Sequence, residues 1–83
     1  MTYEVVLSKK DFKQLKKLDK TKQERILKAL ERIRIRPEKY VQKLVGSSEF
    51  RLRVRDYRLI LDIDKEKIQV LVLKIGHRKK IYD

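Results

Sequence analysis

Arginine alternates with apolar residues along one stretch of the chain, in the run Phe50-Arg51-Leu52-Arg53-Val54-Arg55-Asp56-Tyr57-Arg58-Leu59. This period of two is typical of a β-strand with one buried face and one open face. Like charges that lie opposite one another destabilise a sheet, so clustered arginines need good solvation or an anion among them. Phosphate matches the planar fork of donors in a guanidinium group. The pattern therefore indicates a surface that binds phosphate groups.

A two-residue turn at Arg55-Asp56 would fold this run into a β-hairpin. The register that follows contains the pairs Val54–Tyr57, Arg53–Arg58, Leu52–Leu59 and Phe50–Leu61. Its apolar pairs share one face of the sheet and its arginines share the other. We therefore expect Arg51, Arg53 and Arg58 to converge on the open face.

Cations that hold phosphate oxygens also stabilise the charge that develops during phosphoryl transfer. RNA carries its own nucleophile, the 2′-hydroxyl, so a protein that aligns it with the adjacent phosphorus needs little beyond positioning and charge neutralisation. Arginine is a poor proton donor or acceptor, and its expected role is to hold phosphate oxygens. Further candidates for the same group lie near the end of the chain: Arg78, with Lys74, Lys79 and Lys80, flanked by His77 and Tyr82.

Other kinds of site find little support in the composition. The chain has a single histidine and no cysteine, which excludes a two-histidine acid–base pair, a disulfide and a thiolate metal site. Its two glycines, Gly46 and Gly76, cannot form a glycine-rich phosphate loop. We predict neither a cofactor nor a metal.

Length and charge restrict the class of protein. The 83 residues suffice for one small domain, which we expect to span 1–83. The chain has 24 lysines and arginines against 12 acidic residues, a formal charge of +12 that favours nucleic acid or an acidic protein as a partner. An anionic membrane fits less well, because no amphipathic segment sets an aromatic face against a basic one. With neither a signal-peptide pattern nor a membrane-length apolar run, we predict a cytoplasmic protein.

The remaining elements follow from periodicity and capping. Residues 3–7 form an apolar, β-branched run that predicts a strand. Capping-box patterns at Ser8 and Thr21 predict two helices, the first ending near Asp19 and the second stopped by Pro37. Residues 36–49 are interpreted as a connector, residues 64–67 as a hairpin turn, and the apolar run 68–75 as a central strand whose facing register cannot be read. The predicted fold is α+β, in the order β-α-α-β-β-β, with an αα-hairpin on one face of a mainly antiparallel sheet.

Several short segments together resemble the RelE family of toxin endoribonucleases, within the RelE/ParE superfamily. They are Lys43-Leu44-Val45-Gly46, Phe50-Arg51-Leu52-Arg53-Val54, Asp56-Tyr57-Arg58-Leu59, and Gly76-His77-Arg78 with Ile81-Tyr82. The β-α-α-β-β-β order matches as well, so the likeness covers essentially the whole chain. It implies a metal-independent endoribonuclease that cleaves mRNA in the ribosomal A site by 2′-hydroxyl attack. It also implies an acidic, RelB-like antitoxin that wraps and neutralises the toxin.

The resemblance assigns roles to five residues. Arg51 and Arg53 occupy strand positions where characterised members often carry lysine, and Arg58 is expected to bind phosphate. Arg78 is expected to bind phosphate and to act at the leaving group, and Tyr82 to stack on or orient the substrate. Two alternatives stay open: a ParE-like inhibitor of DNA gyrase and a non-catalytic RNA-binding module.

Overall fold

Five strands form one sheet within residues 2–81, the part of the chain that the computed structural model describes. The elements in chain order are β1 (Glu4–Leu7), α1 (Lys9–Lys16), α2 (Lys20–Ile33), α3 (Pro37–Tyr40), β2 (Gln42–Lys43), β3 (Phe50–Val54), β4 (Tyr57–Asp64) and β5 (Gln69–His77). The strand order is β1-β5-β4-β3-β2, with β1 parallel to β5 and the other neighbours antiparallel. The predicted α+β fold is confirmed, and the connector also contains a short helix and a short strand.

The first helix begins where the sequence predicts and the second does not. Ser8 caps α1, because its Oγ accepts a hydrogen bond from the backbone N–H of Asp11 at 3.1 Å. For α2 the predicted cap at Thr21 is wrong: Asp19 is the N-cap, and its Oδ1 accepts from the N–H of Lys22 at 3.0 Å. Asp19 has the extended backbone that an N-cap requires, and the earlier start adds helical hydrogen bonds. The first helix accordingly ends at Lys16, earlier than predicted.

The core lies between the two long helices and one face of the sheet. One stripe of α2, at Ile26, Leu30 and Ile33, is buried there together with Leu15 of α1. The sheet contributes Leu52, Val54, Leu59, Leu61, Val70, Val72 and Ile75. The Gln14 side-chain amide donates a hydrogen bond to the carbonyl of Ile75 and so links α1 to β5.

The hairpin of β3 and β4 has the predicted register at all four pairs, with Arg53 opposite Arg58 and Leu52 opposite Leu59. Its turn is formed by Arg55 and Asp56, and the backbone of Arg55 is left-handed, with φ at 57°. Non-glycine residues rarely adopt this conformation, because it brings Cβ close to the backbone. The tight turn therefore holds Arg55 under local strain.

β5 contains a β-bulge, which explains why its sequence alone does not show which of its side chains face the core. Leu61 pairs with Val72 but Ile60 pairs with Lys74, so Leu73 is an extra residue. The bulge shifts the alternation by one position, and both Val72 and Ile75 are buried in the core. Lys74 is thereby directed to the face that carries the arginines, and Leu73 is 45% exposed.

Candidate phosphate-binding site

Three of the predicted site residues share the sheet face that points away from the helices. Arg53 lies directly opposite Arg58, and Arg51 lies two pairs further along β3, opposite Ile60. Side chains of directly opposed residues start about 5 Å apart, and diagonal neighbours are within reach of a side chain as long as arginine. The hairpin therefore places these three residues close together on one face of the sheet, which we call the arginine face.

The arginine face is more enclosed than the sequence suggests. Arg53 is exposed, but Arg51 and Arg58 are only 8% and 7% exposed, so the expected open face is wrong for these two residues. The cover comes from distant parts of the chain. Gln42 of β2 lies beside Arg51, whose Nη2 donates to Gln42 Oε1 at 2.6 Å. Ile81 folds back over Gly76, the register neighbour of Arg58.

Arg58 also holds the hairpin turn together. Its Nη1 donates to the carbonyl oxygen of Arg55 at 2.7 Å and to that of Tyr57 at 3.0 Å. Two acceptors in fixed backbone positions restrict the orientation of the guanidinium plane. Such preorganisation lowers the entropy lost when an anion binds, because the donors are already in place.

Arg78 lies at the hairpin end of the same sheet. Its backbone N–H donates to the carbonyl of Asp56 at 2.7 Å, and its Nε is 3.8 Å from the Asp56 carboxylate. Both side chains are more than half exposed, and an exposed ion pair contributes about 0–1 kcal/mol. A phosphate group that approaches Arg78 therefore has only a weak internal competitor.

The structure places His77 apart from the arginines. His77 pairs with Tyr57, and the two rings meet edge to face with centroids 5.5 Å apart. Tyr57 packs against the core and lies under the ammonium group of Lys22 from α2, so His77 is on the helix side of the sheet. Its Nδ1 accepts from the N–H of Lys79 at 3.2 Å, which places the proton of the neutral ring on Nε2. The expectation that His77 flanks the arginines is wrong, because the β5 bulge reverses the alternation.

Tyr82, the fifth predicted site residue, lies outside the described residues. Two contributors to the site were not found from the sequence. Gln42 was missed because its strand pairs over only two residues, and Gly76 because its role depends on Ile81. A glycine inside an apolar strand is nevertheless a recognisable signal that another group approaches closely.

Within residues 2–81, no group of three or more histidine, cysteine or acidic side chains is placed to hold a metal ion. None of the helices described there is long and apolar enough to cross a membrane.

Residues 5–82 match the family described as ParE toxin of type II toxin–antitoxin system, parDE. The chain therefore belongs to the RelE/ParE superfamily of type II toxin–antitoxin toxins. Direct sequence comparison with individual characterised proteins finds no significant match.

Solved structures of RelE proteins have the same fold. A chain of the archaeal RelE–RelB complex from Pyrococcus horikoshii is 31% identical, with a TM-score of 0.82 over 98% of this chain and 100% of that one. For the RelBE2 toxin–antitoxin complex from Mycobacterium tuberculosis the identity is 25% and the TM-score 0.84, over 94% and 100% of the two chains. For the intact E. coli RelBE complex the identity is 28% and the TM-score is 0.78, over 90% of this chain and 95% of that one. These similarities confirm the resemblance and the fold inferred from sequence.

Proposed function

We propose that this toxin is an endoribonuclease that cleaves mRNA in the ribosomal A site and so stops translation. The observation that carries the proposal is the cross-strand pair of Arg53 and Arg58, with Arg51 diagonal to it and Arg78 at the same end of the sheet. A gyrase inhibitor has no need of several arginines gathered at one face and end of a sheet. A phosphodiester that develops negative charge in its transition state does.

In the proposed reaction the 2′-hydroxyl oxygen of a ribose attacks the adjacent phosphorus. The bond from phosphorus to the 5′-oxygen breaks, which leaves a 2′,3′-cyclic phosphate and a 5′-hydroxyl. The 2′-hydroxyl loses one proton and the 5′-oxygen gains one, so the protons balance. Arg58 and Arg78 hold the non-bridging phosphate oxygens, and Arg51 and Arg53 position the strand. Tyr82 is proposed to stack on or orient the substrate.

We also propose an acidic, RelB-like antitoxin as the neutralising partner. The related solved structures include complexes of RelE with RelB. The formal charge of +12 favours association with an acidic chain. Exposed apolar side chains also provide surface that such a partner can cover: Phe12, Leu27, Ile35, Tyr40, Val45 and Leu73.

The test is primer extension on a translated message after the chain is expressed without a partner. New 5′ ends inside codons are expected, and they should disappear in the Arg78→Ala variant. Arg78 is the better single change, because it is exposed while Arg58 also stabilises the turn. Lys9→Ala is the matched control, since it removes one exposed charge on α1. Translation that continues unchanged with the wild-type chain, or cleavage that survives in Arg78→Ala/Arg58→Ala, would contradict the proposal.

A ParE-like gyrase inhibitor is the second candidate, and the family match to ParE toxins favours it. It predicts inhibition of DNA supercoiling by the purified chain, with no new RNA ends. That inhibition should persist in Arg78→Ala, because binding to a protein target does not depend on a phosphate-holding guanidinium. The same variant thus separates the two functions.

A further inference from the structure

A second group of cations lines a groove between α2 and the end of β3. The groove has a volume of about 350 Å³, and its lining comprises Arg25, Lys28, Ala29, Arg32, Arg53, Val54 and Arg55. We call it the α2 groove. We propose that it binds the phosphate backbone of a single RNA strand, as an extension of the path over the arginine face. This inference rests on the proposed function for the identity of the strand.

No acidic side chain of residues 2–81 forms a salt bridge with the cations of the α2 groove. Five of its seven lining residues are cationic, all five are exposed, and none of the lining residues is acidic. Among residues 2–81, the ion pairs described for the lysines and arginines involve other side chains, those of Lys22, Arg34, Lys65 and Arg78. Uncompensated like charges around a concave surface produce a positive potential that attracts anions. Binding of an anion relieves their mutual repulsion.

The shape of the charge distribution favours a chain of phosphates over a single anion. Arg25 and Arg32 lie seven residues apart on one face of α2, which separates them by about 10 Å along the helix axis. Arg53 and Arg55 face them from the hairpin. Cations arranged along a line track a polyanion, as in proteins that bind single strands without sequence preference.

The lining also favours nucleic acid over an acidic protein segment. Its apolar members are Ala29 and Val54, and Val54 is only 8% exposed. The hot spots of protein interfaces lie in well-packed, fully desolvated pockets, whereas all five cations of the groove are exposed. Four of the five cations are arginines, whose forked donors fit phosphate oxygens.

Arg53 connects the groove to the proposed reaction site. It lines the groove and it lies opposite Arg58 on the arginine face. Because β3 lies near the edge of the sheet, a strand that leaves the arginine face passes over this edge directly into the groove. The groove would then hold nucleotides that flank the cleaved bond.

The test measures binding of a mixed-sequence RNA 12-mer with 2′-O-methyl groups, which prevent cleavage, by fluorescence anisotropy over a range of salt concentrations. The variant Arg25→Gln/Lys28→Gln/Arg32→Gln removes three groove charges, and Lys9→Gln/Lys10→Gln/Lys13→Gln removes three charges from α1 as the matched control. All six residues are exposed, and glutamine keeps helix propensity close to that of lysine and arginine. The groove variant should bind about tenfold more weakly or worse, and the slope of log affinity against log salt should shrink by about 2, since each phosphate contact on a single strand contributes about 0.7.

Equal losses in the two variants would overturn the proposal, because net charge alone would then account for binding. An unchanged affinity of the groove variant would overturn it as well. So would a groove variant that binds RNA normally but loses affinity for a poly-glutamate peptide, since the occupant would then be an acidic protein. Failure of the proposed function is a separate result: if the wild-type chain produces no new 5′ ends on a translated message while the two variants still differ in RNA binding, the groove is supported and the nuclease is refuted.

Discussion

Gly76 is the position where one added methyl group most sharply tests the enclosed arginine face. A Cβ atom built on Gly76 would lie 2.7 Å from Cδ1 and 2.8 Å from Cγ1 of Ile81. These distances are far inside van der Waals contact, so one side must move. Both atoms belong to the outer part of the Ile81 side chain, and we expect Ile81 to be displaced while the sheet stays in place.

The size of the effect follows from the burial of Ile81. Its side chain is 6% exposed, and burying an isoleucine contributes about 1.5–3 kcal/mol. The displaced Ile81 side chain can still pack in a shifted position and so recovers part of this free energy. Gly76→Ala should therefore lower the free energy of unfolding by about 1–2 kcal/mol. Cleavage should fall further than this loss of stability explains, by about tenfold or more, because Arg58 lies beside Gly76 and the proposed site residue Tyr82 follows Ile81 directly.

The assay is a double-mutant cycle in urea denaturation, with cleavage measured on the same proteins. Ile81→Ala removes the atoms that the new methyl group meets, so adding Gly76→Ala to it should cost almost nothing in stability. The reasoning is refuted if Gly76→Ala costs the same in both backgrounds, or if it costs nothing in the wild-type chain.

Three further predictions concern single contacts. Arg55→Gly should raise the free energy of unfolding by about 1 kcal/mol in urea titrations, because glycine adopts the left-handed backbone of the turn without strain. If the variant is no more stable than the wild-type chain, the turn is not strained. The RNA affinity of the variant should fall, since one groove cation is lost. Asp19→Ala should lower the thermal unfolding midpoint, because it removes about 1 kcal/mol of stabilisation from the N-cap hydrogen bond. Thr21→Ala lies inside the helix and should change the midpoint little. Equal effects of the two variants would contradict the observed cap. His77→Asn retains an acceptor for the N–H of Lys79 and should leave cleavage within about threefold of wild type, while a larger loss would mean that the imidazole reaches the substrate.

The sequence predicts the elements whose signals are local. The hairpin register is correct at every pair, because a two-residue turn and the alternation of arginine with apolar residues allow only one alignment. The order β1, α1, α2, β3, β4, β5 is equally readable from periodicity, whereas the short α3 and β2 in the connector are not. The start of α2 is not, since Asp19 and Thr21 both offer a capping oxygen within two residues and only the packing of the helices decides between them.

Features that depend on distant contacts were not predicted. The hydrogen bond from Arg51 to Gln42 and the contact of Ile81 with Gly76 beside Arg58 have no periodic pattern in the sequence. The side of the sheet on which His77 lies depends on the β5 bulge, which a uniform apolar run conceals. The α2 groove joins a helix and a hairpin turn, and a composition of many scattered cations does not reveal which of them meet.

The position of β5 between β1 and β4 has a consequence for biosynthesis. The ribosome makes this strand last among the five described here, yet it pairs with both earlier neighbours, including the register pair Glu4 and Gln69. A nascent chain that stops before residue 69 leaves β1 without a partner strand and leaves one edge of β4 open to aggregation or proteolysis. Truncated translation products therefore cannot assemble the arginine face on a stable sheet. A cell that makes this protein therefore meets the complete five-stranded sheet only after β5 has been translated.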